Sequence, residues 1–443
     1  MAVSITNYKC PACTGPLKFN GEKNKLECEY CGSLFTEEEV KAMFAESEQK
    51  ASENLAADEE KASSAGPSEM WDEASDGVKA YNCPSCGAEL IFDDTTVATS
   101  CPYCDNPTIV PGKLSGALKP DLVIPFKLEK KAAVEALKNH YKGKKLLPDS
   151  FTEGNRVEEI KGVYVPFWLF DEKADASVRY EAYNEDRHET DDEIVTTTKY
   201  YDVRRAGTMA FDKIPVDSSS KMPDDHMDSI EPYDYAELKP FSTTYLPGYM
   251  AEKYDVEKDE CEKRAELRVK NSILDAMRED VKGYDSVKTE DERVNIKRGD
   301  VKYALFPVWM LSTKWNGQNF LFAMNGQTGK LIGDLPADKG KLYKYFFITF
   351  TIALAVVALL AFVVFKGDPA TQSENALLYK IGATVILPLL CAFIRAGSLK
   401  AQLKSVHTAV TAKGYATGKA DFTVREDNFV RTETRREQKS KND

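Results

Sequence analysis

Eight of the ten cysteines fall into four C-x-x-C pairs: Cys10 with Cys13, Cys28 with Cys31, Cys83 with Cys86, and Cys101 with Cys104. Taken two by two, they form a pattern that occurs twice, C-x2-C-x14-C-x2-C. A C-x-x-C turn points two thiolates at one metal, and the stretch between two turns is long enough for a hairpin that brings the second pair opposite the first. Four thiolates at about 2.3 Å then close a tetrahedral zinc shell. Such a shell has no open position, so the expected Zn2+ ions, two per chain, are structural. Small or turn-forming residues follow the knuckles, at Thr14-Gly15, Gly32, Gly87 and Asp105-Asn106. They permit the tight backbone that lets amide N–H groups approach sulfur. Leu17 and Phe19 of one unit correspond to Leu90 and Phe92 of the other, as a small apolar floor beneath each metal. The alternative is a set of free surface thiols placed twice in this spacing by chance.

The remaining chain must position these units. No basic-then-apolar leader opens the sequence, and paired cysteines without export read as metal ligands in a reducing compartment, not as disulfides. The expected order is a first unit at 1–36, a charged helix and linker at 37–79, a second unit at 80–112, and an α+β domain at 113–340. Trp71, in the linker, is expected to pack on the second unit. Within the α+β part, "YVPFWLFD" (Tyr164 to Asp171) and "YALFPVWMLSTKW" (Tyr303 to Trp315) echo one another, the sign of an internal duplication. Proline in a strand suits an edge or a bulge, so Pro166 and Pro307 are each expected where a strand starts or bends. "FAMNGQTGKLIG" reads as a hairpin turning at Asn325-Gly326.

Tyr345 to Phe365 carries no charge, and 21 helical residues span about 32 Å, the hydrocarbon thickness. Leu377 to Ile394 is a second apolar stretch holding Lys380 and Pro388, read as a second span with a re-entrant segment as the alternative. Together they make a transmembrane hairpin within 343–395. Lys339, Lys341 and Lys344 flank the first span, and Arg395, Lys400 and Lys404 follow the second. The positive-inside rule then places both termini and the soluble parts in the cytoplasm. The basic tail, 396–443, is expected to lie near lipid and to end in a short hairpin that frays.

Catalytic chemistry is not legible. "NGQTGK" lacks phosphate-loop spacing, and an apolar residue follows Lys330 where Ser or Thr would hold magnesium. His140, His188, His226 and His407 form no ligand pair, and "ETDDE" and "DDHMD" read as solvated acidic loops. No enzyme is expected. The 443-residue chain has a net charge of −12, which argues against nucleic acid as the main partner, since binding it means neutralising phosphates. The second unit has no Lys or Arg between Tyr81 and Asn106, although Lys9, Lys18, Lys23 and Lys25 keep a nucleic-acid reading open for the first.

The cysteine units resemble the zinc ribbon of the transcription factor B type. "YKCPAC…CEYCG", "YNCPSCG…CPYC", "YVPFW", "LFPVWML", "NGQTGKLIGDLP" and the hydrophobic hairpin together resemble the membrane-anchored zinc-ribbon proteins of Gram-positive bacteria. These are encoded beside a phage-shock protein A homologue and an SPFH-domain (flotillin-like) protein. The resemblance implies a cytoplasmic-face platform for those two partners in envelope stress, with the eight ribbon cysteines as its ligands and no catalytic residue. A membrane-tethered nucleic-acid binder is the alternative.

Overall fold

The structure, a computed structural model, describes residues 8–13, 15–43, 79–82, 89–92, 96–100, 107–109, 119–154, 160–190, 192–365 and 374–438. The second cysteine set and Trp71 lie outside them. The first unit is a small antiparallel sheet of β1 (Leu17–Asn20), β2 (Lys25–Cys28) and β3 (Leu34–Phe35), followed by helical residues 37–43 (α1). Two hairpin pairings bracket the second cysteine set. β4 (Lys79–Asn82) pairs with β5 (Glu89–Phe92), and β6 (Thr96–Ser100) pairs with β7 (Pro107–Ile109). β6 continues into the main sheet through β12 (Met250–Glu252).

That sheet is built on β9 (Lys161–Glu189), β10 (Glu193–Asp217) and β13 (Ser286–Trp315), with 29, 25 and 30 residues, far beyond the usual five or six. Their length follows from a change of pattern along the chain. From Val163 to Phe170 every side chain of β9 is buried. Tyr164, Trp168 and Phe170 enter one core layer, and Val163, Val165, Phe167 and Leu169 the other. From Glu172 onward apolar and polar residues alternate. Ala174, Ala176, Val178, Tyr180 and Ala182 turn inward, while Lys173, Asp175, Arg179 and Glu181 turn to solvent. A strand buried on both faces thus becomes the half-covered strand of a long arm. The covering helix is α5 (Lys258–Asp280), which buries Cys261, Ala265, Val269, Ile273 and Met277 at four-residue spacing.

The two proline motifs are antiparallel neighbours, with Val165 opposite Phe306 and Pro166 opposite Leu305. Neither proline lies on an edge strand. β9 hands its outer pairing from β12, at Val163 and Tyr164, to β10, which begins opposite Phe167. β13 passes likewise from β8 (Leu122–Val123), at Ala304 and Leu305, to β14 (Gln318–Asn325), opposite Val308. Each proline, which has no N–H to give, sits where the outer partner changes, while the β9–β13 ladder runs on past it. The expected hairpin after β14 is present, closing on β15 (Leu331–Ile332). Its left-handed residue is Gly329, φ +81°, while Asn325 is buried at its base.

α6 (Lys339–Phe365) and α7 (Glu374–Ala401) pack antiparallel, and both are long and apolar enough to cross a membrane. Their outward side chains, among them Phe347, Ile352, Leu359, Ile386 and Leu390, are exposed and apolar. The tail departs from expectation. Asp421–Gln438 is one strand, β16, paired along β10 from Thr208 to Glu193 and interrupted by two register shifts. The tail does not fold on itself because the outer edge of β10 offers a far longer ladder. The sheet domain therefore includes residues on both sides of the helical hairpin.

Candidate metal centre

The first unit brings its four cysteines together. The Cys10 and Cys31 sulfurs lie 3.6 Å apart and those of Cys13 and Cys28 lie 3.4 Å apart. All four Sγ atoms fall within 4.8 Å of one another. A tetrahedral site with 2.3 Å metal–sulfur bonds separates its sulfurs by about 3.8 Å, so the donor set fits one ion. Cys10 and Cys28 are buried, and Cys13 and Cys31 face solvent. The knuckles close through Cys10 N–H to Gly15 C=O (2.7 Å) and Gly32 N–H to Cys28 C=O (2.9 Å). Gly32 has φ +71°, and a Cβ on Gly15 would press on the Tyr30 ring at 2.7 Å, so both glycines are needed. The Ser33 hydroxyl and amide, with smaller help from Cys13, pull the exposed Cys31 thiol down to about 6. Cys13, although the Gly15 backbone lowers it, is pushed up to about 12 by its hydrogen bonds to Cys28 and Cys31, so the thiols share protons until a metal displaces them.

The unit is docked on the main domain. Leu17, Phe19 and Leu26 are buried, and Phe19 meets Tyr245 edge-on with ring centres 5.1 Å apart. Phe19 N–H donates to Pro247 C=O (2.9 Å), the Tyr8 hydroxyl bonds to Thr243 (2.8 Å), and Tyr245 donates to Glu37 (2.5 Å). Gly21 lies so close to the Phe126 carbonyl that a Cβ would stand 2.0 Å from it. Cys83, Cys86, Cys101 and Cys104 lie outside the described residues.

Other singled-out residues turn out to be structural. Lys330 donates to the Glu231 carbonyl (2.5 Å), and Asn325 Oδ1 accepts from the Gln327 and Thr328 amides (2.9 Å each), so "NGQTGK" is a packed turn. Its Lys330 ammonium is committed within the fold. The "DDHMD" stretch is not a solvated loop. Residues Asp224–Ser229 form a short helix, α4, and Asp228 is buried against Arg264 (3.1 Å), which also holds Asp217 (2.9 Å) and Asp224 (3.0 Å). Burial pushes the Asp217 carboxyl up to about 7 although Arg264 opposes it.

A second cluster, with no local signal in the sequence, fastens the returning tail. Arg268 of α5 grips Glu231 through both guanidinium nitrogens (2.6 and 3.1 Å), and Tyr415, after the helical hairpin, donates to the same carboxylate (2.7 Å). Beside it, Ala412 N–H donates to Ser272 (2.7 Å), Ala409 N–H to Asp228 (3.0 Å) and His407 N–H to Ser229 (2.6 Å). Farther along the arm, Arg205 joins Asp280 of α5 (2.7 Å) to Asp427 of β16 (2.6 Å).

No protein-family model matches the chain, and no solved structure matches it. Among curated proteins it is similar to the uncharacterized protein YdjG of Bacillus subtilis, 36% identical over 318 residues, which are 61% of this chain and 93% of that relative.

Proposed function

The chain belongs to the same family as YdjG of Bacillus subtilis, and we propose that it is a membrane-anchored, zinc-binding adaptor on the cytoplasmic face of the membrane. The observation that carries this reading is the return of the chain. Leu335, before α6, donates its amide to the Leu403 carbonyl, after α7, at 2.9 Å, and β16 then completes the sheet begun by β10. A domain built from both flanks of a helical hairpin keeps both flanks on one side of the bilayer, which is what two crossings require. The lysines and arginines at those flanks favour the cytoplasm, and reduced thiols at the metal unit agree with it.

A closed four-thiolate shell does no chemistry on a substrate, so its use is to hold a surface. We read both cysteine sets as zinc ribbons and the paired proline motifs as a trace of duplication. Charge on the first unit supports protein partners over nucleic acid, because Lys18 is paired with Glu29 (3.0 Å) and Lys23 with Glu27 (2.6 Å). The resemblance names the partners as an SPFH-domain protein and a phage-shock protein A homologue, brought to the membrane in envelope stress. Purification of the full chain from its own membranes in mild detergent, with mass spectrometry of what accompanies it, tests this. Recovery of both proteins is the expected result. Nuclease-sensitive nucleic acid in their place would replace the adaptor with the tethered nucleic-acid binder.

A further inference from the structure

The apolar outer surface of the helical hairpin ends at one level. Phe346 of α6 meets Phe393 of α7 there, ring centres 5.1 Å apart, and the exposed band stops at Phe347 on one helix and Ile394 on the other. The next cations along each helix, Lys344 and Arg395, are both exposed and stand at this boundary. The fold adds a third from a distant segment. Lys145, in the turn between α2 (Lys130–Tyr141) and α3 (Asp149–Gly154), holds its ammonium 5.7 Å from the centre of the Tyr345 ring. Some two hundred residues of sequence separate it from that ring.

The turn is pinned in place. Lys144 Nζ donates to the Gln402 carbonyl (2.6 Å), Asp338 N–H donates to the Leu146 carbonyl (2.8 Å), and Lys341 Nζ reaches the Leu147 carbonyl (2.7 Å) and Asp149 (2.8 Å). Nearby carboxylates are already engaged. Asp149 pairs with Lys341, Asp338 accepts from the Lys341 amide (2.9 Å), and Asp334 accepts from the Ser405 and Val406 amides (2.8 and 3.1 Å). Among the described residues, none of Lys145, Lys344 and Arg395 takes part in a salt bridge. Three exposed cations thus stand at the level where an apolar band gives way to polar surface, and the turn that carries Lys145 is held there. The neighbouring Tyr343, also exposed, suits the same interfacial level.

We propose that Lys145, Lys344 and Arg395 together bind the headgroups of anionic phospholipids and so seat the soluble domain against the bilayer. This rests on the reading of α6 and α7 as membrane spans. Each cation near an anionic surface contributes about 1 kcal/mol, or roughly fivefold in affinity. Lys145 differs from the other two because it belongs to the domain and not to the spans. Its contribution fixes how the domain is oriented, beyond what the helices alone would do.

The test uses the full chain, purified in detergent and placed in lipid nanodiscs containing phosphatidylcholine with a minor share of phosphatidylglycerol. Lipids retained on re-extraction are counted by mass spectrometry. Retained lipid should be enriched in phosphatidylglycerol over the input. Lys145→Gln should lower the enrichment roughly fivefold, and the triple change with Lys344→Gln and Arg395→Gln should abolish it. Lys131→Gln, exposed at the opposite end of α2, should leave it unchanged. If the triple variant fails to fold, the single Lys145→Gln variant, checked by its thermal midpoint in detergent, decides. Equal retention of the two lipids by the unaltered chain, or enrichment that survives the Lys145→Gln change, overturns the proposal. A chain that enters no disc of any composition, and stays soluble without detergent, would instead overturn the membrane reading beneath it.

Discussion

The four-cysteine unit and the buried Glu231–Arg268–Tyr415 cluster both hold segments together, by opposite means. The cysteine unit draws all four sulfurs from Cys10 to Cys31, so one short hairpin brings them into range. The cluster joins a residue before α5, one on α5 and one beyond both apolar helices, with Tyr415 separated from Glu231 by 184 residues. The first can form as soon as its own segment is made and a metal is present. The second waits until almost the whole chain exists, because Tyr415 and β16 follow the helical hairpin. Local closure therefore makes a module, and long-range closure makes the domain depend on its tail.

The largest effect should come from removing that tail. A chain ending after Lys404 leaves Glu231 and Arg268 without Tyr415 and the outer edge of β10 without β16. Limited proteolysis should then cut within β10 and α5, and cooperative unfolding should disappear. A truncated chain as resistant as the full one would show that the domain closes without its tail. Next in size is metal removal. Chelation, or Cys10→Ser, should cost the first unit its order, since structural metal binding supplies folding free energy of about 10–16 kcal/mol. Hydrogen exchange should rise across residues 8–43 and stay low in β9 and β13. Unfolding of the long strands on chelation would erase the distinction between module and domain.

Glu231→Gln removes the charge opposite a buried arginine, and breaking such a pair typically costs about 3–5 kcal/mol. Denaturant midpoints at pH 7 should show it, with no change in bound metal. A smaller effect, opposite in sign, is expected at Glu172. It is buried beneath α5 with neither carboxylate oxygen hydrogen-bonded, near Glu262 and Glu266. Burial first, then those two carboxylates, push its carboxyl up from 4.5 to about 7, with Arg298 opposing. Below pH 4.5 the group is neutral folded and unfolded, so it exacts no penalty. Between 4.5 and 7 the unfolded chain ionises first, and stability falls until the folded group ionises as well. Glu172→Gln should therefore stabilise the domain more at pH 8 than at pH 5, as read from paired melting curves. An equal gain at both values would mean that Glu172 is solvated. The smallest change is Lys23→Ala. Its exposed pair with Glu27 should be worth less than about 1 kcal/mol, and metal content should not move.

These differences match what could be read in advance. The Cys10, Cys13, Cys28 and Cys31 set was legible because ligand type and spacing act over a few residues. The apolar helices were legible from composition alone. "VYVPFWLF" was read as a strand, but its passage into the alternating "ADASVRYEAY", where one buried face is lost, went unread. The prolines were read as marking a strand start or bend; they lie within β9 and β13 where the outer partner changes, and that depends on which strands arrive from distant segments. "DDHMD" looked solvated because Arg264, which neutralises it, lies on another helix. The tail looked frayed because its charged alternation, "DFTVREDNFVRTETRREQ", has no apolar face of its own and becomes a strand only against β10.

By itself the sequence determined the local matters: that Cys10, Cys13, Cys28 and Cys31 can share an ion, and which stretches are apolar enough to cross a bilayer. Each of these depends on neighbours within a turn or a hairpin. Tertiary structure alone decided that the tail belongs to the domain, that the first four-cysteine unit is docked on it, and that Lys145 joins two helix-flanking cations at one level. Those results rest on pairings across a hundred residues or more. Such a pairing depends on what both partners gain by leaving water together, and neither segment states that gain alone.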